Sequence, residues 1–112
     1  MAWIPDRGDL VWVSFTPQAG REQAGHRPAV IVSPALYNRK SGLALMCPVT
    51  KHIKNYPFHV RLPEGLPVQG EVQSDQVRSL DWEARKAEFI CRLPKDIMQE
   101  IMGKLTALLL QD

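Results

Sequence analysis

At 112 residues the chain has room for one hydrophobic core, so a single domain over residues 1–112 is expected. Hydrophobic residues at 45% and charged residues at 23% exclude a disordered polar tail, and no apolar run reaches the roughly 18 residues of a membrane-spanning helix. The net charge of +2 conceals an asymmetry: residues 1–62 carry eight Lys/Arg against three Asp/Glu, and residues 63–112 carry six against nine. A basic half suits a localised anionic partner such as nucleic acid, although a mixed solvated surface gives the same count. Residues 1–9 hold Asp6, Arg7 and Asp9 and no apolar stretch, so no signal peptide and a cytoplasmic location are expected. Cys47 and Cys91 fit no Cys-x-x-Cys metal spacing and read as free thiols.

In chain order, Leu10–Phe15 is rich in β-branched and aromatic residues and predicts a first strand. Thr16–Arg27 is a long Gly- and Gln-containing connection, and long connections in compact domains often carry function. Pro28–Ser33 predicts a second strand with proline tolerated at its start. Pro34–Asn38 predicts one helical turn, and Leu43–Thr50 a central third strand. Lys51–Pro57 is a basic loop. Phe58–Leu62 alternates apolar and polar and predicts a half-exposed strand with Phe58, Val60 and Leu62 inward. Val68–Ser74 and Gln76–Leu80 predict short strands, Asp81–Ala87 a turn of helix, and Glu88–Leu93 the last strand. From Pro94 onward, Ile97, Ile101, Leu105 and Leu108 recur at helical spacing, with Met98, Met102 and Leu109 widening that face. Short strands followed by one helix predict a mainly β fold, a small, partly open β-barrel with a C-terminal helix.

The chemistry concentrates in Glu22-Gln23-Ala24-Gly25-His26-Arg27-Pro28. If the second and third strands are neighbours, Arg27 at the start of one and Thr50 at the end of the other share a rim, with Glu22 on the loop above. A guanidinium presents a fork of donors that matches phosphate oxygens, and a hydroxyl adds one more. A carboxylate is a candidate general base. That set suits RNA cleavage in which the ribose 2′-OH attacks the adjacent phosphate. No carboxylate pair or His cluster has metal-ligand spacing, so no metal or cofactor is expected. The alternative reading is plain: Glu22 and Arg27 as a surface ion pair and Thr50 as an ordinary strand-end residue. Lys51-His52-Ile53-Lys54-Asn55-Tyr56 adds cations interleaved with an aromatic, which can neutralise a backbone and stack an unpaired base.

The chain resembles the MazF/PemK family of endoribonuclease toxins, the mRNA interferases, and sits nearest its MazF members. Pro5-Asp6, Gly8-Asp9-Leu10, Trp12-Val13 and Phe15-x-Pro17 with Gly20 carry the likeness. It continues through the run from Glu22 to Val30, then Ser33-Pro34, Tyr37-Asn38, Pro48-x-Thr50 and Tyr56-Pro57-Phe58. Gly70, Asp75-Gln76-Val77, Ser79, Trp82 and Ala84-Arg85 complete it. The run from Glu22 to Pro28 is the specific part.

The resemblance implies an SH3-like barrel of the CcdB/PemK type and a homodimer whose interface forms an RNA groove. It implies sequence-specific cleavage of single-stranded RNA, leaving a 2′,3′-cyclic phosphate and a 5′-OH, and inhibition by a cognate MazE-like antitoxin. By the same resemblance Arg27 and Thr50 are the catalytic pair and Glu22 assists. Contacts to RNA are expected from Phe15, Gln23, His26, Lys51, His52, Lys54, Tyr56 and Gln76, with His26 a neighbour of the chemistry more than an actor in it. Ser14 stands where MazF has aspartate, and the loop after Thr50 is more basic, which leaves the cleaved sequence open. Two rival functions are a CcdB-like gyrase poison, which would need a C-terminal Trp-Gly-Ile that the ending Leu110-Gln111-Asp112 lacks, and a catalytically idle module that binds antitoxin or RNA.

Overall fold

The computed structural model describes residues 3–15 and 26–110. Its strands are β1 (Asp9–Ser14), β2 (His26–Ile31), β3 (Leu43–Thr50), β4 (His59–Arg61), β5 (Glu71–Gln73), β6 (Arg78–Asp81) and β7 (Glu88–Arg92). Helix α1 (Ala35–Ser41) joins β2 to β3, and helix α2 (Lys95–Leu110) follows β7. Every pairing is antiparallel, in the order β4-β5-β3-β2-β1-β7, with β6 also on β3. The end strands β4 and β7 are not paired with each other, so the barrel is partly open.

β3 organises the sheet because it serves two partners on one edge. Leu43 to Met46 pair with β6, and Val49 and Thr50 pair with β5. The change of partner falls at Cys47 and Pro48, where a proline without an N–H removes nothing that this edge would use. Pro28 obeys the same logic. It is the third residue of β2, opposite Trp12 of β1, and β3 joins the other edge only from Ala29 onward.

Alternation of side chains along the strands builds two cores. Leu10, Val30, Cys47, Val49, Val60 and Val72 face Ile101 and Leu105 of α2. Val11, Val13, Ala29, Ile31, Ala44 and Met46 face the opposite way, toward Leu80 and Trp82. The helical period read from the sequence holds through Leu105: Ile101 and Leu105 are buried, and Ile97, Met98 and Met102 pack on the same cluster. Full burial of an Ile or Leu stabilises by about 1.5–3 kcal/mol. The last turn departs from the expectation, since Leu108 and Leu109 are exposed.

Other boundaries shifted for identifiable reasons. α1 runs on to Ser41, past the single turn expected, because its middle is anchored. Buried Asn38 donates from Nδ2 to the carbonyls of Pro5 at 2.8 Å and Ser33 at 3.0 Å, and its own carbonyl accepts the Trp82 indole N–H at 3.0 Å. Gly42 then ends the helix at φ 77°, a left-handed conformation suited to glycine. The strand expected over Val68–Ser74 contracts to Glu71–Gln73, and that over Gln76–Leu80 becomes a 3₁₀ turn (Ser74–Gln76) followed by β6. In β4 the expected phase inverts at its start. Phe58 is exposed and His59 buried, because His59 has a buried partner on β5.

Candidate active site

The site is built outward from two adjacent strands. β2 and β3 pair with Ala29 opposite Pro48 and Ile31 opposite Met46. Extended two residues toward the loops, that register sets Arg27 opposite Thr50. Thr50 in turn lies opposite Glu71 on β5, and Glu71 opposite Arg61 on β4. Residues directly opposed in a ladder share a face. Their neighbours Val49, Val72 and Val60 fill the core against α2, so Thr50, Glu71 and Arg61 project from the other face.

A cleft of about 940 Å³ opens at this end of the sheet, where the chain leaves β3 and enters β2. Arg27 and Thr50 both line it, with Lys51, His52 and Ile53 from the following loop and Arg61 across from them. Trp12 and His26 form one wall, their rings 5.4 Å apart and tilted by 35°. Among the described residues the lining holds three Lys/Arg and no carboxylate. Such a cleft favours an anionic chain, and its cations carry the neutralisation. The Thr50 hydroxyl oxygen accepts the His52 N–H at 3.2 Å, which fixes the start of the loop and leaves the O–H proton to donate elsewhere.

The other expected contacts divide. His26, Lys51 and His52 line the cleft. Lys54 and Tyr56 lie on the exposed loop just beyond it, with the Lys54 ammonium 5.5 Å from the Tyr56 ring centre. Phe15 is elsewhere: it belongs to the core cluster of Val11, Val13 and Trp82, and the Arg78 guanidinium sits 5.3 Å from its ring centre. Gln76 closes the 3₁₀ turn after β5 and is exposed, apart from the lining residues. Glu22 and Gln23 lie outside the described residues. Among the described residues no three His, Cys, Asp or Glu side chains converge as metal ligands.

Three participants escaped the sequence. Arg61 reads as the polar half of an alternating strand, and Trp12 as a core aromatic. Gly70 is the subtler case. Its φ of 137° suits glycine, and a Cβ there would run into the Thr50 carbonyl oxygen. A lone glycine next to a strand is the available signal, since it marks close backbone approach.

Glu71 was also missed, because a charged residue after a glycine reads as surface. It is only 2% exposed. One carboxylate oxygen accepts the Lys54 N–H at 3.0 Å and His59 Nδ1 at 2.9 Å, and the other accepts the Asn55 N–H at 3.0 Å. Burial alone would raise its pKa. The hydrogen bonds from His59, Lys54 and Asn55 and the His59 charge outweigh that and hold the carboxyl below its ordinary value.

Comparison with known proteins places this arrangement. Residues 6–109 match the model of the PemK-like, MazF-like toxins of type II toxin–antitoxin systems. The endoribonuclease toxin MazF of Escherichia coli K12 is 45% identical over 107 residues, 96% of each chain. The endoribonuclease PemK of Escherichia coli is 39% identical over 108 residues, 93% of this chain and 81% of PemK. A crystal structure of MazF from Deinococcus radiodurans superposes with a TM-score of 0.87 at 53% identity, covering 96% of this chain and 98% of that one. A MazE–MazF crystal structure from the same organism gives 0.88 at 51% identity, covering 96% and 97%. The chain therefore belongs to the PemK-like, MazF-like toxins of type II toxin–antitoxin systems, the endoribonuclease toxins.

Proposed function

We propose that this chain cuts single-stranded RNA by metal-independent transesterification, with residues 1–112 acting as one toxin domain. The observation that carries the reading is that Arg27 and Thr50, far apart in sequence, line one cationic cleft on adjoining strands. RNA brings its own nucleophile. The 2′-oxygen bonds to phosphorus as its proton leaves to a base, and the bond from phosphorus to the 5′-oxygen breaks. That oxygen takes up a proton, leaving a 2′,3′-cyclic phosphate and a 5′-OH. Arg27 grips the non-bridging oxygens as their charge grows, and Thr50 donates its hydroxyl proton to one of them. Glu22 assists proton transfer. Lys51 and Arg61 hold flanking phosphates, and Tyr56 offers a stacking face to an unpaired base.

The MazE–MazF complexes of Deinococcus radiodurans support a cognate antitoxin as partner. Charge sets its character: an acidic, partly apolar segment would compete with RNA for the cleft. The protein acts as a cytoplasmic homodimer. Among the described residues no helix is long and apolar enough to cross a membrane.

The test is incubation with a long unstructured RNA in EDTA, followed by mapping of the ends. Cyclic phosphate and 5′-OH ends at a recurring short sequence are expected. Arg27→Ala should lower kcat by about 10²–10³, the effect of removing one strong charge-stabilising donor. Thr50→Val should cost about tenfold. Intact RNA with the wild type, or undiminished cleavage by Arg27→Ala, would overturn the proposal.

A further inference from the structure

The loop over residues 51–57 covers the face of β4 and β5 that is turned away from α2, and Glu71 is buried beneath it. Were the loop elsewhere, this carboxylate would be a surface group, since only its neighbour Val72 belongs to the core. Instead it receives two consecutive backbone N–H groups, those of Lys54 and Asn55, each at 3.0 Å. Asn55 adopts φ 56°, a left-handed conformation that helps bend successive amides toward one anion. His59 completes the set from below at 2.9 Å, and its Nε2 lies 3.6 Å from Asp75. The loop is pinned at further points: the His52 N–H on Thr50 at 3.2 Å, the Tyr56 carbonyl on the His59 N–H at 3.0 Å, and the Pro57 carbonyl on Lys104 of α2.

The same loop supplies Lys51, His52 and Ile53 to the cleft and carries Lys54 and Tyr56 at its edge. We propose that Glu71, supported by His59, is a positioning residue for substrate: it moors the 51–57 loop through the amides of Lys54 and Asn55, and so holds the cationic and stacking contacts to RNA in place. The inference rests on the RNA-cleaving reading and deepens it. Glu71 does not touch the reacting phosphate, because it lies under the loop. Thr50 remains fixed by the β3–β5 ladder whatever the loop does. Loss of the mooring should therefore weaken substrate binding and leave the chemical step largely intact.

Glu71→Gln keeps shape and removes the charge that attracts both amides. Two measurements decide the proposal. Amide hydrogen exchange of Lys54 and Asn55 should accelerate by about tenfold or more, while the amides of Val49 and Val72 stay protected. On a single-stranded RNA oligonucleotide containing the mapped cleavage site, KM should rise about tenfold and kcat should change less than about threefold. A merely structural role would lower the folded fraction without splitting KM from kcat. Unchanged loop exchange, a freed loop with unchanged KM, or a fall in kcat alone would each overturn the proposal.

If Glu71→Gln does not fold, Asn55→Val and Asn55→Gly decide from the solvent side. Both lose the carboxamide, and only valine is strained at φ 56°. Asn55→Val should raise KM several-fold above Asn55→Gly, and equal values would sink the idea. If the wild type itself leaves RNA intact, the cleavage reading fails and this inference falls with it.

Discussion

Gly70 is pressed against Thr50: a methyl group on Gly70 would come within 2.2 Å of the Thr50 carbonyl oxygen. This contact sets how closely β5 approaches the end of β3, and so where the Thr50 hydroxyl sits in the cleft. Gly70 also lines that cleft, so one backbone position serves packing and site geometry together.

Gly70→Ala should accordingly be costly on two counts, a steric clash and a φ of 137° that L-residues avoid. A loss of about 1–3 kcal/mol in unfolding free energy is expected by urea titration. The folded fraction should also show lowered kcat, as Thr50 is displaced. An alanine variant with wild-type stability and activity would contradict the close approach.

Acid should unmoor the fold at Glu71. Its pKa is depressed in the folded state by His59 and the Lys54 and Asn55 amides. A depressed carboxylate contributes stability that is fully present above its unfolded value, about 4.3, and is lost as pH falls through the lower folded value. The urea midpoint of the wild type should thus fall more steeply below about pH 4 than that of Glu71→Gln. Parallel curves for the two proteins would show that the carboxylate contributes no such linkage.

Cys47 should be inert while the protein is folded. Burial, reinforced by the charge of Asp75, pushes its thiol to about 12, and the thiolate is the reactive form. Alkylation by iodoacetamide at pH 8, read by mass spectrometry, should leave Cys47 unmodified until denaturant is added. Cys91 is half-buried and its thiol is raised as well, by burial and then by Asp9, so it should react slowly but sooner than Cys47.

Salt should weaken RNA binding in proportion to the phosphates neutralised. Arg27, Lys51 and Arg61 line the cleft, and three such contacts give a slope of roughly −2 in log affinity against log salt for a single strand. Arg61→Gln should flatten the slope by about 0.7. A slope unaffected by that change would remove Arg61 from the interface.

Local pattern determined much of this protein. The limits of β3 at Leu43 and Thr50 follow from a β-rich run between a Gly42 turn and a basic loop, and the structure agrees to the residue. The inward face of α2 through Leu105 follows from helical spacing. The pairing of Arg27 with Thr50 in one cleft followed from their places at strand ends, once those strands proved to be neighbours. Side-chain type told less wherever burial depended on a distant segment. Phe15, which the resemblance names as an RNA contact, packs in a core cluster. His59 looked like the exposed half of an alternating strand and is buried. Glu71 drew no functional reading from the sequence and anchors a loop 16 and 17 residues away. A buried carboxylate is stable only where several donors converge on it. Those donors come from the amides of Lys54 and Asn55 and the ring of His59, and only the folded chain brings them to one point.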